Sequence, residues 1–345
     1  MARTRAHLAT LLLAVALSHC FLVQGPGARS ANRYEFTRPL MGTTMRIVMY
    51  APDAGAAQRA AAAAFGRIAE LDAELSDYRD SSELMRLSRQ AGSGPVRVSD
   101  DLFRVLRAAQ QLFRRSDGAF DVTVGPLTVL WRRARRQAEM PDLSQVAAAR
   151  QLVGGYKLIL DEQHRTVTLL ERGMRLDVGG IAKGFAADEA ATILERRGIT
   201  RALVAAGGDL RITGPPPESD GWRIAIQPLG GVDQVHASSV MLHNAGVSTS
   251  GDAEQFVVID GVRYSHIIDP CTGRPKTGRS SVTVVAPDAT MSDGLATAVA
   301  VLGPEKGLRL VDATPQTAAT IAVETDARGV ETLVSLRWPR QPSGG

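Results

Sequence analysis

The segment with the densest chemically useful pattern comprises residues 176–184, which read Leu-Asp-Val-Gly-Gly-Ile-Ala-Lys-Gly. We expect an apolar strand to end at Asp177, two glycines to follow, and a helix to begin with Lys183 in its first turn. Glycines let a ligand approach the backbone closely, and the free N–H groups at a helix N-terminus attract anions. Lys183 adds a positive charge suited to phosphate. The pattern is neither a Walker loop nor a GxGxxG fingerprint, so a tight structural turn is the alternative interpretation.

Two further glycine clusters come later in the chain. Residues 206–209, Ala-Gly-Gly-Asp, follow a predicted strand, and residues 248–252, Ser-Thr-Ser-Gly-Asp, are rich in hydroxyls and backbone amides. Either cluster alone could be an ordinary turn, because glycine, serine and aspartate dominate turns. Three such loops at strand ends in one chain nevertheless favour a ligand that carries phosphate.

Near the C-terminus, Asp293 and Thr297 are four residues apart within a helical run. That spacing places a carboxylate and a hydroxyl on one face of a helix. Both groups are oxygen ligands of the kind that Mg²⁺ prefers. Taken alone, Asp293 could equally be a helix cap or an acid of the first helical turn.

A histidine, His266, lies between hydrophobic residues in the segment 265–270, Ser-His-Ile-Ile-Asp-Pro. Histidine titrates in the range that a general base needs, although a lone histidine can also be purely structural. No serine–histidine–acid order stands out in the sequence. A hydrolytic triad therefore has little support.

The composition of the 345-residue chain excludes several classes of protein. It is 44% hydrophobic and 22% charged, as in an ordinary globular protein, and the formal charge of +4 falls to +2 without Arg3 and Arg5. So small a surplus gives no reason to expect nucleic-acid binding, and we interpret the basic run at 132–136 as a solvated helix face. With only Cys20 and Cys271, a disulfide-stapled scaffold and a cysteine-built metal site are excluded.

Residues 1–28 have the pattern of a signal peptide. Arg3 and Arg5 precede an apolar stretch at 8–17, and small and turn-forming residues follow through residue 28. The apolar stretch is shorter than the roughly 20 residues that span a bilayer. We therefore expect export to the periplasm and a mature domain over 29–345. Membrane association would require lipidation of Cys20, which the bulky His19 before it disfavours.

The order of the predicted elements favours an α+β fold. Helical periodicity predicts helices over 56–75, 100–115, 181–197, 291–302 and 305–312. Short β-rich runs predict strands over 156–160, 166–170, 202–206, 222–227, 235–242, 256–259, 282–286, 318–323 and 331–336. This order fits mixed sheets with long helices better than strict βαβ alternation. Two related β-rich halves, each with a long helix, are consistent with it.

Taken in order, these segments resemble the ApbE-type FAD:protein FMN transferases over about residues 35–340. The matching motifs are Met41-Gly42-Thr43-Thr44, Asp77-Tyr78 with Ser82-Glu83, Asp117-Gly118-Ala119-Phe120-Asp121-Val122, residues 177–184, residues 206–209, residues 248–252, residues 265–270 with Thr272-Gly273, and residues 293–297. Eight ordered motifs are far more specific than any one of them. The resemblance implies an α+β fold of two related, T-fold-like halves with flavin bound between elements.

The resemblance also implies roles for individual residues. Positions expected to line the FAD pocket are Met41, Tyr78, Ala119, Phe120, Asp121, Asp177, Lys183 and Ile268. The backbone carbonyl of Gly180 joins Asp293 and Thr297 as expected Mg²⁺ ligands. His266 matches the histidine expected to act as the base.

The implied activity is Mg²⁺-dependent transfer of FMN from FAD to a threonine or serine hydroxyl of an acceptor protein, with release of AMP. Export suggests that the acceptor is a flavoprotein subunit of a membrane electron-transfer complex. Two alternatives remain open from the sequence. One is a Mg²⁺-dependent FAD pyrophosphatase that yields FMN and AMP, and the other is a non-enzymatic periplasmic flavin-binding protein.

Overall fold

A computed structural model of the chain describes residues 31–226, 229, 239–251, 255–325 and 329–339. The predicted signal peptide at 1–28 lies outside the described residues. Among those that are described, no helix is both long and apolar enough to cross a membrane.

The helices found in the described ranges include all five that periodicity predicts, with ends that differ by at most two residues. Eight α-helices lie in these ranges: α1 (Ala54–Leu75), α2 (Glu83–Arg89), α3 (Asp100–Arg115), α4 (Gly125–Gln137), α5 (Leu143–Gln151), α6 (Ala182–Arg196), α7 (Ala289–Leu302) and α8 (Pro304–Ala313). Ser99 is the N-cap of α3, since its Oγ accepts a hydrogen bond from the amide of Leu102 at 3.2 Å.

The strands are short and every ladder between them is antiparallel. The sixteen strands of the described residues are β1 (Asn32–Leu40), β2 (Thr43–Ala51), β3 (Val96–Arg97), β4 (Leu158–Asp161), β5 (Thr166–Leu169), β6 (Ala202–Ala206), β7 (Asp209–Ile212), β8 (Trp222–Ala225), β9 (Ser239–Leu242), β10 (Ala245–Gly251), β11 (Phe256–Ile259), β12 (Val262–Asp269), β13 (Arg274–Thr277), β14 (Ser280–Ala286), β15 (Ala318–Thr325) and β16 (Gly329–Val334). Within the described residues, parallel pairing is limited to an isolated bridge between Val124 and Arg175. The sheets of the described residues are therefore antiparallel, whereas the sequence predicted mixed sheets.

The main sheet has eight strands in the order β1-β2-β6-β7-β10-β14-β15-β16. It divides into two consecutive halves of four strands, with α1 and α6 inserted between β2 and β6 of the first half and α7 and α8 between β14 and β15 of the second. The predicted α+β fold with two related β-rich halves is confirmed. The halves join where β7 pairs with β10.

The core forms because one face of this sheet is apolar and amphipathic helices cover it. Met45, Ile47 and Met49 alternate along β2 toward that face and are fully buried. Phe65 and Ile68 lie at helical spacing on the apolar stripe of α1, and this stripe packs in one cluster with the buried residues of β2. Helix α6 lies between α1 and α7. The opposite face of the sheet is covered by the β8–β9 hairpin.

A small sheet of β11, β12 and β13 carries the segment that contains His266. Its hairpin turns at Asp260-Gly261, where both residues have positive φ, as this dipeptide predicts. The indole of Trp131 on α4 stacks on Tyr264 of β12, and its Nε1 donates to the carbonyl of Gly273 at 2.8 Å. Strand β12 also lies against α7.

Candidate active site

A lysine lies between two buried carboxylates at the N-terminus of α6. Nζ of Lys183 donates a short hydrogen bond to Oδ2 of Asp209 and lies 3.7 Å from Oδ2 of Asp293. The two aspartates are only 3% exposed. Lys183 and Asp209 belong to the first half of the fold and Asp293 to α7 of the second, so the site lies where the halves meet.

Helix α6 itself stabilises the charge on Asp293. The amide of Gly184, in the first turn of α6, donates to Oδ2 of Asp293 at 3.0 Å. Amides at a helix N-terminus have no intrahelical partner and favour negative charge. Ile181, at the N-cap position, has no side-chain group that could cap them. The expected anion-attracting helix start is present, and one of its amides is already paired with an acid.

Burial and neighbouring charge shift the pKa values of this cluster. Burial, and then the nearby charge of Asp209, raise the pKa of Asp293 to about 7. Burial alone would lower the pKa of Lys183, but Asp293 and Asp209 outweigh it and hold this pKa above its ordinary value. Lys183 therefore keeps its positive charge at neutral pH.

Gly180 and Thr297 meet directly. A Cβ atom built on Gly180 would lie 2.9 Å from Oγ1 of Thr297 and 3.3 Å from Cε2 of Phe120. Only glycine fits at this position without a shift of its neighbours. Asp293 and Thr297 lie one turn apart on α7, as their spacing predicts. The three residues predicted as metal ligands thus belong to one small region.

These residues fit a magnesium ion that a phosphate ester also ligates. A carboxylate, a hydroxyl and a backbone carbonyl are hard oxygen donors, and Mg²⁺ is commonly held by one or two carboxylates together with substrate phosphates and water. In the part of the chain that the structure describes, no group of three or more His, Cys, Asp or Glu residues could hold a metal ion. A donor set with one carboxylate leaves room for water and phosphate oxygens, as is common for Mg²⁺.

The hydroxyl-rich segment 248–251 is part of strand β10, so its interpretation as a loop was wrong. Its residues are paired into the ladders with β7 and β14. Ser248 meets Ser292 with an Oγ–Oγ distance of 2.7 Å, and Oγ of Ser250 lies 3.4 Å from Oγ1 of Thr297. Asp252 lies outside the described residues. The hydroxyls of Ser248 and Ser250 thus face α7, and that of Ser250 lies beside Thr297.

The approach to Asp177 is not a regular strand, contrary to the prediction. The amide of Asp177 donates to the carbonyl of Val122 at 2.8 Å, and Arg175 forms the isolated bridge with Val124. The segment is thus held by the loop after residue 121 instead of by a sheet. Oδ1 of Asp177 accepts from the amide of Gly179 at 2.9 Å, which closes the turn that leads to Gly180.

The basic run of α4 is not simply a solvated helix face, because Arg132 is turned inward. Its guanidinium bonds to Asp77 through a short contact and to Oδ2 of Asp177 at 3.2 Å. The guanidinium carbon lies 4.2 Å from the ring centroid of Tyr78. Two predicted FAD-pocket residues, Tyr78 and Asp177, therefore contact one arginine that sequence reasoning did not select.

The segment 119–121 is buried and its acid is used within the protein. Oδ1 of Asp121 accepts from the amide of Thr123 at 2.8 Å and from its hydroxyl at 2.6 Å, while Oδ2 accepts from the amide of Gly155 at 2.8 Å. Ala119 and Phe120 are 5% and 4% exposed. Asp121 thus fixes the loop, which brings Phe120 against the Gly180–Thr297 contact. Asp121 also lines an open pocket of about 760 Å³ together with Arg114, Arg150 and Cys271.

The remaining predicted residues lie on other elements. Met41 is at the β1–β2 turn with φ of 52° and packs against the main core. Ile268 of β12 is buried in the cluster formed with α4 and α5, so its side chain serves packing. His266, two residues earlier, is exposed, and its Nδ1 lies 3.2 Å from the carbonyl oxygen of Gln255.

Sequence reasoning missed Asp209 and Arg132 as site residues. Asp209 was visible as the last residue of the Ala-Gly-Gly-Asp cluster, and its position after two glycines at a strand end was the available signal. Arg132 had no distinguishing signal, because three other arginines lie within four residues of it. Only the fold shows which of the four points inward.

The fold and site together define a tandem α+β protein whose halves meet at a site suited to a phosphate ester and a hard cation. The sequence profile of the ApbE family matches residues 41–321. The chain therefore belongs to the ApbE family, as the ordered motifs predict.

Named relatives match nearly the whole chain. An FAD:protein FMN transferase of Klebsiella pneumoniae (strain 342) is 32% identical over 329 residues, covering 94% of this chain and 93% of that protein. One from Escherichia coli (strain K12) is 34% identical over 309 residues, covering 87% and 88%.

Solved structures agree with this assignment. Flavin transferase ApbE from Vibrio cholerae superposes with a TM-score of 0.76 at 33% identity, covering 89% of this chain and 98% of that one. The apo form of the Pseudomonas stutzeri flavinyl transferase ApbE gives 0.79 at 32% identity, covering 89% and 96%.

Proposed function

We propose that this chain transfers FMN from FAD to a threonine or serine hydroxyl of an acceptor protein and releases AMP. The observation that carries the proposal is the position of Lys183 between Asp209 and Asp293 at the start of α6. Such a site offers a fixed positive charge and helix N–H groups to a pyrophosphate, next to the oxygen ligands of a cation. Relatives named FAD:protein FMN transferase, aligned over nearly the whole chain, support the same activity.

The reaction is a displacement at phosphorus. The acceptor hydroxyl oxygen bonds to the phosphorus on the FMN side of the pyrophosphate, and the bond from that phosphorus to the bridging oxygen breaks. AMP leaves with the bridging oxygen, and the hydroxyl proton passes to a base. FMN remains attached to the acceptor through a phosphoester. Little covalent chemistry is asked of the protein, so positioning and charge stabilisation dominate.

His266 is the base in this proposal. Nδ1 lies 3.2 Å from the carbonyl oxygen of Gln255, which favours the tautomer with the ring proton on Nδ1, because a carbonyl can only accept a hydrogen bond. In the neutral ring Nε2 then carries the lone pair that can take a proton. Exposure of His266 suits a base that must meet a hydroxyl delivered by another protein.

Lys183 and the start of α6 stabilise the leaving group. The phosphates carry negative charge that repels the incoming oxygen, and more charge develops on AMP as it departs. A preorganised ammonium group lowers the barrier because it does not have to reorganise during the reaction. Asp209 keeps the ammonium in place through its short hydrogen bond.

Asp293, Thr297 and the carbonyl of Gly180 would hold Mg²⁺ in this proposal. When bound, the ion would neutralise charge on the two phosphates. The contact between the glycine and the threonine, and the oxygen character of the donors, are what support this assignment.

Hydrolysis of FAD by water is the alternative that the same site could perform. The deciding experiment incubates purified protein with FAD, Mg²⁺ and a candidate acceptor that carries an exposed threonine or serine. Transfer predicts equal amounts of AMP and of acceptor that fluoresces as a flavoprotein in a denaturing gel. AMP without labelled acceptor, across several acceptors, would establish the pyrophosphatase instead. Flavin binding without AMP would establish a carrier.

We further propose that the protein is exported to the periplasm and acts on an outward-facing subunit of a membrane electron-transfer complex. Arg3 and Arg5 before the apolar residues 8–17 support export. Mass spectrometry of the native protein should find an N-terminus shortened by about the length of that leader. An intact Met1 in a cytoplasmic fraction would contradict the proposal.

A further inference from the structure

Arg132 joins three separate segments of the chain at one guanidinium group. From α4 it reaches Asp77, in the loop after α1, and Asp177, in the turn before α6. It also lies under the ring of Tyr78, with 4.2 Å between the guanidinium carbon and the ring centroid. No single element could bring these groups together, since they are distant in sequence.

The exposure of these side chains differs sharply. The side chains of Asp77 and Asp177 are 11% exposed and that of Arg132 18%, whereas Tyr78 is 75% exposed. The charged groups therefore form a largely buried base beneath a tyrosine that is open to solvent. A large exposed aromatic side chain held from below by a planar cation is a prepared stacking surface.

The two loops around Arg132 are anchored independently of it. Nη2 of Arg175 donates to the carbonyl of Asp77 at 3.0 Å, and the amide of Asp177 donates to Val122. The backbone on both sides is thus held in place. What Arg132 adds is the position of the side chains and the balance of two like charges, since Asp177 is close enough to raise the pKa of Asp77, after burial.

We propose that Arg132 is a positioning residue that fixes Tyr78 as a stacking platform for a flat ring system of FAD. This inference rests on the proposed function, because it takes FAD as the ligand. Two ring systems of FAD have the required flatness, the isoalloxazine and the adenine. Arginine is needed for the role, because a lysine ammonium is a point charge that cannot bridge two carboxylates in a plane and stack on a ring at the same time.

The test measures binding of FAD, FMN and ADP by calorimetry to the wild type, Arg132→Met, Arg132→Lys and Tyr78→Ala. The free energy of a cation–π contact such as that between Arg132 and Tyr78 corresponds to a factor of about 5 to 30 in an equilibrium constant, and loss of the positioned ring should weaken FAD binding by up to this factor. We expect Arg132→Met and Arg132→Lys to weaken FAD by up to that factor. A parallel loss for FMN with ADP unchanged identifies the isoalloxazine as the stacked ring, and the reverse identifies the adenine. Arg136→Met, an exposed neighbour on the same helix, is the matched control and should bind like the wild type.

The double variant Arg132→Met/Tyr78→Ala separates positioning from general structural damage. If Arg132 acts through Tyr78, the double variant binds FAD as weakly as Tyr78→Ala alone, because loss of Arg132 has no further effect once the ring that it positions is gone. Additive losses would overturn the proposal, and so would unchanged FAD binding in Arg132→Met or equal losses for FMN and ADP. If the wild type itself binds no FAD, the proposed function fails instead.

Discussion

Nζ of Lys183 lies 3.7 Å from Oδ2 of Asp293, while its shorter contact is to Asp209. One ammonium group thus serves two buried acids that belong to different halves of the fold. Two carboxylates so close together would repel each other without a shared cation. The arrangement leaves Asp293 only partly neutralised, which suits an acid that we propose also binds a metal ion.

Replacement of Asp293 by asparagine tests the proposed metal site. Asp293→Asn retains an oxygen for the amide of Gly184 but removes the charge. Mutation of a residue that only hydrogen-bonds to a metal ligand typically lowers metal affinity or activity by about 10- to 100-fold. Loss of the charge on a ligand itself should therefore lower the rate of AMP release by at least about 100-fold. FAD affinity should fall much less, since most pocket contacts remain. Unchanged turnover in this variant, or full wild-type activity in excess EDTA, would contradict the proposed metal dependence.

Metal affinity should depend on pH. Because burial, and then Asp209, raise the pKa of Asp293 to about 7, protons compete with Mg²⁺ for this carboxylate below neutrality. Affinity should rise about fivefold from pH 6 to pH 7, about twofold more above pH 7, and level off above about pH 8. In Asp209→Asn a charge that raises this pKa is gone, so the plateau should begin at lower pH. Calorimetric titration of Mg²⁺ at several pH values measures both curves, and pH-independent affinity in the wild type would contradict the prediction.

The close contact of α6 and α7 should make Gly184 intolerant of any side chain. A Cβ atom at this position would lie 2.1 Å from the carbonyl oxygen of Ala289 and 2.9 Å from Cβ of Asp293. Gly184→Ala should lower the free energy of unfolding by about 1–3 kcal/mol or more, because α6 and α7 must separate. The same separation should impair metal binding.

Gly66 provides the matched control for this substitution. It is an exposed glycine in the interior of α1, and a Cβ atom there meets nothing within 4 Å. Gly66→Ala should therefore stabilise the protein by about 0.5–1 kcal/mol. Chemical denaturation measures the free energy of unfolding of both variants. Equal values for Gly184→Ala and Gly66→Ala would show that the α6–α7 contact is looser than the structure indicates.

The long amphipathic helices were predictable because burial imposes a period on their sequences. Helix α3 begins and ends where its apolar spacing and Ser99 predict, and α1 differs only at its first two residues. The turn at Asp260-Gly261 was equally predictable, since both residues tolerate the positive φ that a two-residue hairpin needs.

Other elements could not be predicted because tertiary contacts decide them. The β1–β2 hairpin turns at Met41, which has a φ of 52° although methionine gives no turn signal. Residues 248–251 have a turn-like composition, yet their pairing with β7 and β14 makes them a central strand. The inward orientation of Arg132 likewise depends on Asp77 and Asp177, which come from distant parts of the chain.

The spacing of Asp293 and Thr297, the predicted metal ligands, was readable from the sequence, but their surroundings were not. Spacing alone places Asp293 and Thr297 on one face of a helix, and the structure confirms that helix. The partners of Asp293 were not readable from the sequence, since Lys183 and Asp209 reach it from other elements. Glycine at position 180 acquires its meaning only from the closeness of Thr297.

Replacement of His266 separates transfer from binding, and it is the variant to make first. If His266 accepts the hydroxyl proton, His266→Ala should lose about 10²–10⁴ in the rate of FMN transfer, the usual cost of removing a positioned base. FAD affinity should change little, because His266 is one exposed side chain among the many residues predicted to contact FAD. The rate is measured from flavin fluorescence of the acceptor in a denaturing gel, and AMP is quantified in the same samples.

The pH profile of transfer supplies the control for His266. With Mg²⁺ saturating at every pH, so that protonation of Asp293 does not limit metal binding, the wild-type rate should fall on acidification, because a protonated ring cannot accept the hydroxyl proton. His266→Ala should lose this acid limb together with most of the rate. His266→Gln, which retains a polar side chain of similar length that cannot accept a proton at neutral pH, should be as slow as the alanine variant. Transfer at the wild-type rate in both variants would show that His266 has only a structural role on β12.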